Sequence, residues 1–355
     1  MFPCCKKKSH NVVINKLLTK DDPPDFLDEK TAKIFLYSQK GYGKSKEECQ
    51  DTYCIMNKFQ FDITYVAIYD GHGVTGRMAS RLANMLIQQM LIKNASKIKK
   101  YKEDCSLGNI MIEIHTFQRF FSQEFVKMQE VYHTGSVDFS QSGTCVIGIL
   151  IIDDLILSIN LGDSRAVIGN IENKSSKDCT ISALEISIDH KPSRDVEKAR
   201  ILKAGGRIEK VSIYGQEKGL ERVWKADSEG FGIAISRSLG DLMAHNIGIT
   251  CIPEVTFKYK EESDIFIVLG SDGVWDVMTS AEAICYVNDF KKENVAKGIV
   301  DECRGRWELQ NKIIAERERI ACANSGMGES KIKEKMSLLA MSMECDDITL
   351  IVIYL

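Results

Sequence analysis

Thr144-Cys145-Val146-Ile147-Gly148-Ile149-Leu150-Ile151-Ile152 is followed, after only Asp153-Asp154, by Leu155-Ile156-Leu157-Ser158-Ile159-Asn160-Leu161. Both runs are rich in strand-forming residues. Two intervening residues are the spacing of a tight hairpin, so these neighbouring strands are antiparallel and a purely parallel sheet is disfavoured. The second run leads into Gly162-Asp163-Ser164-Arg165, and three other apolar runs behave alike. Tyr65 to Tyr69 leads into Asp70-Gly71-His72-Gly73, Ile265 to Leu269 leads into Gly270-Ser271-Asp272-Gly273, and Asp346-Asp347 opens the final run Ile348 to Leu355. A carboxylate at a strand end beside a glycine turn is reachable by a ligand. Several gathered at one rim create a charge that only cations neutralise, and aspartate oxygens without a Cys/His cluster favour Mg²⁺ or Mn²⁺ over Zn²⁺.

Around these strands the period changes to that of helices. Val74, Met78, Leu82, Met85 and Leu86 give one apolar stripe, and Met111, Ile114, Phe117, Phe121, Phe125 and Met128 give a second; both are expected to cover a sheet. Pro192 precedes a short helix running to Ala204, where Gly205-Gly206 supplies the left-handed conformation that ends it. Thr279-Ser280-Ala281-Glu282 matches a capping box and starts another helix. The chain reads as α+β.

Composition excludes several classes. The 355 residues allow one large domain or two small ones, and a net charge of −3 argues against a nucleic-acid binder. The twelve cysteines are scattered without a Cys-x-x-Cys pair and read as reduced thiols of an intracellular protein. The longest apolar stretch is too short to cross a bilayer, and no secretory segment opens the chain. Cys4-Cys5 before Lys6-Lys7-Lys8 offers a palmitoylation site with electrostatic support, the one route to membrane contact, but a disordered tail is the preferred reading of residues 1–32. Asp21-Asp22-Pro23-Pro24 marks a linker, and the folded domain is expected to span 33–355.

Three imitations are set aside. Gly71-His72-Gly73-Val74-Thr75-Gly76 fits G-x-G-x-x-G, but Asp70 would face a pyrophosphate with like charge, and the basic stretch Lys93 to Lys102 stands where a second strand is needed. Gly43-Lys44-Ser45 resembles the end of a P-loop, yet Ser38 replaces its first glycine. No cysteine has arginine six positions on, and there is no G-x-S-x-G, so neither a thiolate phosphatase nor a serine hydrolase has a carrier. The aspartates remain the only coherent constellation.

Asp70-Gly71-His72-Gly73, Ser142-Gly143-Thr144, Gly162-Asp163-Ser164-Arg165, Asp189-His190-Lys191-Pro192, Arg237-Ser238-Leu239-Gly240-Asp241, Ser271-Asp272-Gly273-Val274-Trp275-Asp276 and Asp346-Asp347-Ile348-Thr349 stand in an order that resembles the protein phosphatase 2C family of metal-dependent Ser/Thr phosphatases. The resemblance runs from roughly Ile34 to the C-terminus. It implies a four-layer α-β-β-α sandwich of two antiparallel sheets flanked by helices, with a binuclear Mg²⁺/Mn²⁺ cleft at one end. Carried over to this sequence, Asp70 is similar to the carboxylate bridging both metals, with the Gly71 carbonyl completing one shell. Asp272 and Asp346 resemble ligands of the other ion, Asp51 resembles an early acidic residue beside the site, and Asp163 with Asp276 resembles a pair holding a third, weaker ion. His72 is the natural proton donor to the leaving serine or threonine oxygen.

Three departures stand out. Lys46 occupies the place of a family arginine and offers a point charge instead of a bidentate fork. Gln50 removes one negative charge, and Asp347, where the family usually has Asn, adds one. Each aspartate has a bland alternative as a turn residue, His72 as a residue fixing a ligand, and Lys46 as a solvated side chain. Residues 208–235 are expected to form a flap beside the cleft, and 308–344 a charged helical insert broken near Ser325 to Ser330. The expected protein is a monomer acting on phosphoproteins in the cytoplasm or nucleus, or peripherally on a membrane if Cys4 and Cys5 are acylated. A catalytically weak phosphoprotein-binding scaffold and a nucleotide-binding oxidoreductase are the competing functions.

Overall fold

In the computed structural model, the described residues are 34–43, 47–105, 110–172, 180–213, 216–225, 232–289 and 292–355. The tail 1–32 with Cys4 and Cys5, the Asp21 to Pro24 linker, and Lys46 lie outside them. The chain divides into two compact units. One contains Thr52–Ala166 and Glu185–Glu262, the other Lys33–Asp51, Val167–Leu184 and Ser263–Leu355.

The first unit is built on an antiparallel sheet of β2 (Thr52–Gln60), β3 (Ile63–His72), β4 (Gly143–Ile152), β5 (Leu155–Leu161) and β12 (Glu254–Tyr259), ordered β12-β5-β4-β3-β2. The hairpin holds as read: Ile152 pairs with Leu155, and Asp153 takes the positive φ of 55° that a two-residue turn demands. Alternate residues Tyr65, Ala67 and Tyr69 of β3 join a core with α1 (Gly76–Cys105) and α2 (Ile110–Thr134). On α2 the expected face is buried through Phe117, Phe121, Phe125 and Met128; the side chains of Met111 and Ile114 lie outside the description.

The α1 stripe holds for Leu82, which is buried, and for Met85 and Leu86, which pack against the same core, but not at its start: Val74 is 98% exposed and precedes the helix, Met78 is also exposed, and Ala79, Ala83 and Ile87 complete the buried face. Small alanines permit close helix–sheet approach but carry little weight in a hydrophobicity count, so Ala79 and Ala83 do not show in the sequence pattern.

Further along, α3 (Asp195–Lys203) ends with Ala204 and with Gly205 at φ 85°, as the sequence suggested. The flap segment contains regular structure. β8 (Gly206–Ile213), β9 (Gln216–Lys225) and β10 (Gly232–Ile233) form a three-stranded sheet whose Val223 and Ile233 pack with Ile201 and Ile235. β11 (Leu239–Gly240) pairs with the start of β4.

The second unit holds the sheet β1-β14-β13-β6-β7, from β1 (Ile34–Gln39), β6 (Arg165–Glu172), β7 (Thr180–Glu185), β13 (Asp264–Gly270) and β14 (Ile348–Tyr354). Ile348, Leu350 and Val352 meet Phe266 and Val268 on one face, beneath Ala283, Ile284 and Val287 of α5 (Ser280–Asp289) and Val295, Ile299, Val300 and Cys303 of α6 (Val295–Asn324). The one-turn α4 (Asp272–Trp275) follows β13. The capping box forms: Thr279 N–H donates to Glu282 Oε2 at 2.9 Å and Glu282 N–H to Thr279 Oγ1 at 3.2 Å.

The insert is helix, break, helix, with α7 at Glu329–Ser342, but its first half is the unbroken continuation of α6 and not a separate element. Among the described residues no helix is long and apolar enough to cross a membrane.

Candidate active site

Asp70, Gly71 and His72 lie within β3 and not in a turn after it. They pair with Cys145, Thr144 and Gly143 of β4, and the chain turns only at Gly73, φ 83°. Each residue of Ser142-Gly143-Thr144 has a local task. Ser142 Oγ accepts the Thr75 N–H at 3.1 Å and holds the loop that follows His72. The Thr144 hydroxyl donates to the Asp70 carbonyl at 3.0 Å. A Cβ on Gly143 would lie 2.3 Å from Asp241 Oδ2, so glycine is what admits that carboxylate.

Asp241 is fully buried and left-handed at φ 45°, and its Oδ2 sits 2.7 Å from His72 Nε2. Ser238 Oγ donates to the same oxygen at 2.5 Å. The turn is further fixed by Asp241 N–H to Ser142 O at 2.9 Å and by Gln129, which bonds the Gly240 N–H and carbonyl at 3.0 and 2.8 Å.

Just after β5, Gly162 has φ 114°, and a Cβ there would also lie 2.2 Å from Cys145 Sγ, so both backbone and packing require glycine. The next residue, Asp163, is buried, with its carboxylate against Lys191 Nζ and Cys145 Sγ. His190 Nδ1 accepts the Gly162 N–H at 3.0 Å, so Nε2 carries the proton toward Glu254 Oε2 at 3.1 Å. Burial holds the His190 pKa below its ordinary value. Glu254 also takes Arg194 through two bonds, at 2.6 and 3.0 Å. Below lies a second buried charge: Glu197 accepts from Arg237, Arg200 and Ser236. Against the opposing pull of burial, these partners lower its pKa to about 2. Arg237 thus stabilises the segment and is engaged inside the first unit.

The second unit gathers carboxylates differently. Ser271 stands at the N-cap of α4, placing Asp272 in its first turn, half-buried, with Asp276 exposed one turn later. Ser271 and Thr349 lock β13 to β14 by Ser271 N–H to Thr349 O at 3.1 Å and Thr349 N–H to Ser271 Oγ at 3.0 Å. Thr349 Oγ1 then donates to Asp51 Oδ2 at 2.6 Å. Asp347 accepts the Gly41 N–H at 2.7 Å on one oxygen and the Gln50 N–H at 2.8 Å on the other. Asparagine offers only one acceptor oxygen, so the charged residue ties two chain segments that its amide would not. Asp346 Oδ1 accepts the Asp347 N–H at 2.8 Å.

Burial, followed by the Asp347 charge, pushes the Asp51 carboxyl up to about 7. Its Oδ1 is buried with no hydrogen-bond donor among the described residues. This oxygen and the all-oxygen donor set fit a hard divalent cation in chemistry. Among the described residues no three His, Cys, Asp or Glu side chains converge on one point.

A family profile for protein phosphatase 2C matches residues 38–308. The chain belongs to the protein phosphatase 2C family. Among curated relatives, probable protein phosphatase 2C 34 of Arabidopsis thaliana is 32% identical over 264 residues, covering 72% of this chain and 70% of its own. Probable protein phosphatase 2C 73 of the same plant is 31% identical over 288 residues, covering 78% and 74%. The crystal structure of serine-threonine phosphatase 2C from Toxoplasma gondii aligns over 90% of this chain and 94% of its own with TM-score 0.65 and 15% identity, which supports the shared fold. As a protein phosphatase 2C, this chain is a serine/threonine protein phosphatase, a hydrolase of phosphate monoesters from a metal-dependent family.

The sequence singles out Asp70, Gly71, His72, Asp163, Asp272 and Asp346 but gives no task to Asp241, Ser142, Thr349 and Lys191, which bond His72, Thr75, Asp51 and Asp163. The signal for Asp241 was its glycine, since Asp after Gly in a turn tolerates positive φ. The dinucleotide reading of Gly71 to Gly76 fails on topology, because Gly71 sits in an antiparallel ladder.

Proposed function

We propose that this phosphatase hydrolyses phosphoserine and phosphothreonine in proteins by direct attack of water, with Mg²⁺ or Mn²⁺ as cofactor. The proposed oxygen donors are Asp70 with the Gly71 carbonyl in the first unit, and Asp51, Asp272 and Asp346 in the second. Bound ions supply a nucleophilic water at neutral pH and neutralise charge on the phosphoryl oxygens. The observation that carries this reading is Asp51, a buried carboxyl with an unsatisfied Oδ1 and a pKa raised to about 7, a cost that a cation offsets.

Around that chemistry the chain's own groups act. His72 donates the proton that the leaving serine or threonine oxygen requires, and Lys46 attracts the phosphate as a point charge. Asp163 and Asp276 are proposed for a third ion. Lys191 already neutralises Asp163, which is a physical reason for weak occupancy there.

The test is hydrolysis of a phosphothreonine peptide with Mn²⁺, with Mg²⁺ and with EDTA, alongside Asp70→Asn and Asp272→Asn. The expected result is metal-dependent turnover that falls at least ~10²-fold in each variant. Folded wild-type protein that binds the phosphopeptide without turnover at millimolar Mn²⁺ would instead favour the scaffold.

A further inference from the structure

The geometry points to Asp241 as the positioning residue of the proton donor. Its buried carboxylate sets the rotation and tautomer of His72, so that the proton reaches the departing serine or threonine oxygen. This inference rests on His72 being the acid.

Three observations carry it. His72 Nε2 lies 2.7 Å from Asp241 Oδ2, with the Asp241 side chain fully buried and the His72 side chain 30% exposed, so one ring edge is held inside while the ring still reaches solvent. Asp241 is itself built into place: Ser238 donates to the same oxygen, and the Asp241 N–H and carbonyl are bonded to Ser142 and Ala244. The site also pays for the contact in backbone, with Asp241 at φ 45°, Gly240 at φ 85°, and a glycine at 143 where any Cβ would displace the carboxylate. Strain of this kind persists where the surroundings over-determine it, and a residue serving only as a turn would not need its side chain bonded at 2.5 and 2.7 Å.

A carboxylate on one imidazole nitrogen fixes the tautomer, orients the ring and stabilises the imidazolium. With Nε2–H bonded to Asp241, the proton leaves from Nδ1 on the opposite edge. As the water oxygen bonds to phosphorus, the phosphorus–threonine oxygen bond breaks and its electron pair stays on that oxygen. The Nδ1 proton converts the oxygen to a hydroxyl, the attacking water's proton passes to phosphate or solvent, and neutral His72 keeps its Nε2–H on Asp241.

The discriminating experiment varies the leaving group. Asparagine is the substitution that best tolerates a left-handed backbone, so Asp241→Asn is made with His72→Gln and the double variant. Each is assayed with Mn²⁺ on a phosphothreonine peptide, whose alkoxide must be protonated, and on 4-nitrophenyl phosphate, whose phenolate leaves unaided. Asp241→Asn is expected to lose roughly 10²-fold in kcat on the peptide but only about 3-fold on the aryl ester, and the double variant to be no worse on the peptide than His72→Gln. Equal losses on both substrates, or additive losses in the double variant, would overturn the inference.

Long-range ¹H–¹⁵N spectra of the metal-free protein give an activity-independent readout. Wild type should show the Nε2–H form at His72 and Asp241→Asn a different tautomer balance, whereas an unchanged spectrum counts against the inference. If Asp241→Asn does not fold, Ser238→Ala, which leaves the carboxylate but removes its donor, is held to the same substrate selectivity. Inactivity of wild type on both substrates would sink the proposed function, an outcome distinct from unselective loss in the variants.

Discussion

The strand end carrying Asp70 to His72 and the corner carrying Asp51, Asp272, Asp346 and Asp347 present negative charge in opposite ways. In the first, four acids besides Asp70 have side-chain partners: Asp163 has Lys191, Glu254 has Arg194, Glu197 has Arg237 and Arg200, and Asp241 Oδ2 has His72 and Ser238, while Asp241 Oδ1 is buried without a partner among the described residues. In the second, Asp347 is answered by backbone N–H groups and Asp51 by a hydroxyl. Burial and then the neighbouring Asp347 charge push Asp51 up to about 7 against the pull of the Thr349 hydroxyl, while Glu197, paired with guanidinium groups, falls to about 2 despite its own burial. A buried acid beside another carboxylate and one enclosed by guanidinium groups are thus told apart by the direction of their pKa shifts.

The largest effect that would break this contrast is in the satisfied region. Glu197→Gln leaves Arg237 and Arg200 without their buried counter-charge and is expected to cost about 3–5 kcal/mol, read as a lowered thermal midpoint. The pH sign follows from the depressed pKa. The Glu197 contribution is full above its ordinary value of 4.5 and is lost as pH falls toward about 2. A variant melting like wild type at neutral pH would show that the ion cluster contributes nothing net.

Asp51 sharpens the contrast from the other side. Its folded pKa of about 7 exceeds the ordinary 3.8, so the folded state holds the proton more tightly, and metal-free protein loses stability as pH rises from about 4 to about 7. Asp51→Asn should remove that slope, gain on the order of 2 kcal/mol at pH 8 in EDTA, and shrink the midpoint shift produced by Mn²⁺. Melting curves in EDTA and in Mn²⁺ across this range check all three. A wild-type slope of opposite sign would remove the basis for a cation at this corner.

The smallest effect is local. Thr279→Ala breaks the capping box of α5 and should cost about 1 kcal/mol by denaturant titration, with turnover per folded molecule unchanged. A comparable loss of kcat would mean that this helix reaches the carboxylate corner more directly than its cap suggests.

Features governed by neighbouring residues were legible before any coordinates. The Asp153-Asp154 turn, the Gly205 stop after α3, the Thr279–Glu282 cap and the helix-break-helix insert depend on local φ/ψ preference and short-range periodicity, and they stand as read. The aspartates were conspicuous because each ends or opens an apolar run. Less visible were the start of the α1 face, where Ala79 and Ala83 are buried and Val74 and Met78 are not, and the strands inside 206–225, where charged residues hide a β period.

The sequence by itself determined the Asp153-Asp154 hairpin, the helix stops and caps, and the ordered motifs of the family, since these follow from residue type at short spacing. Only the tertiary structure decided which groups meet. His72 and Asp241 are 169 positions apart, Asp51 and Thr349 are 298, and Asp347 reaches Gly41 across 306. Contacts at such separations depend on strand register and on the closeness that Gly143 permits, which residue type at short spacing does not encode.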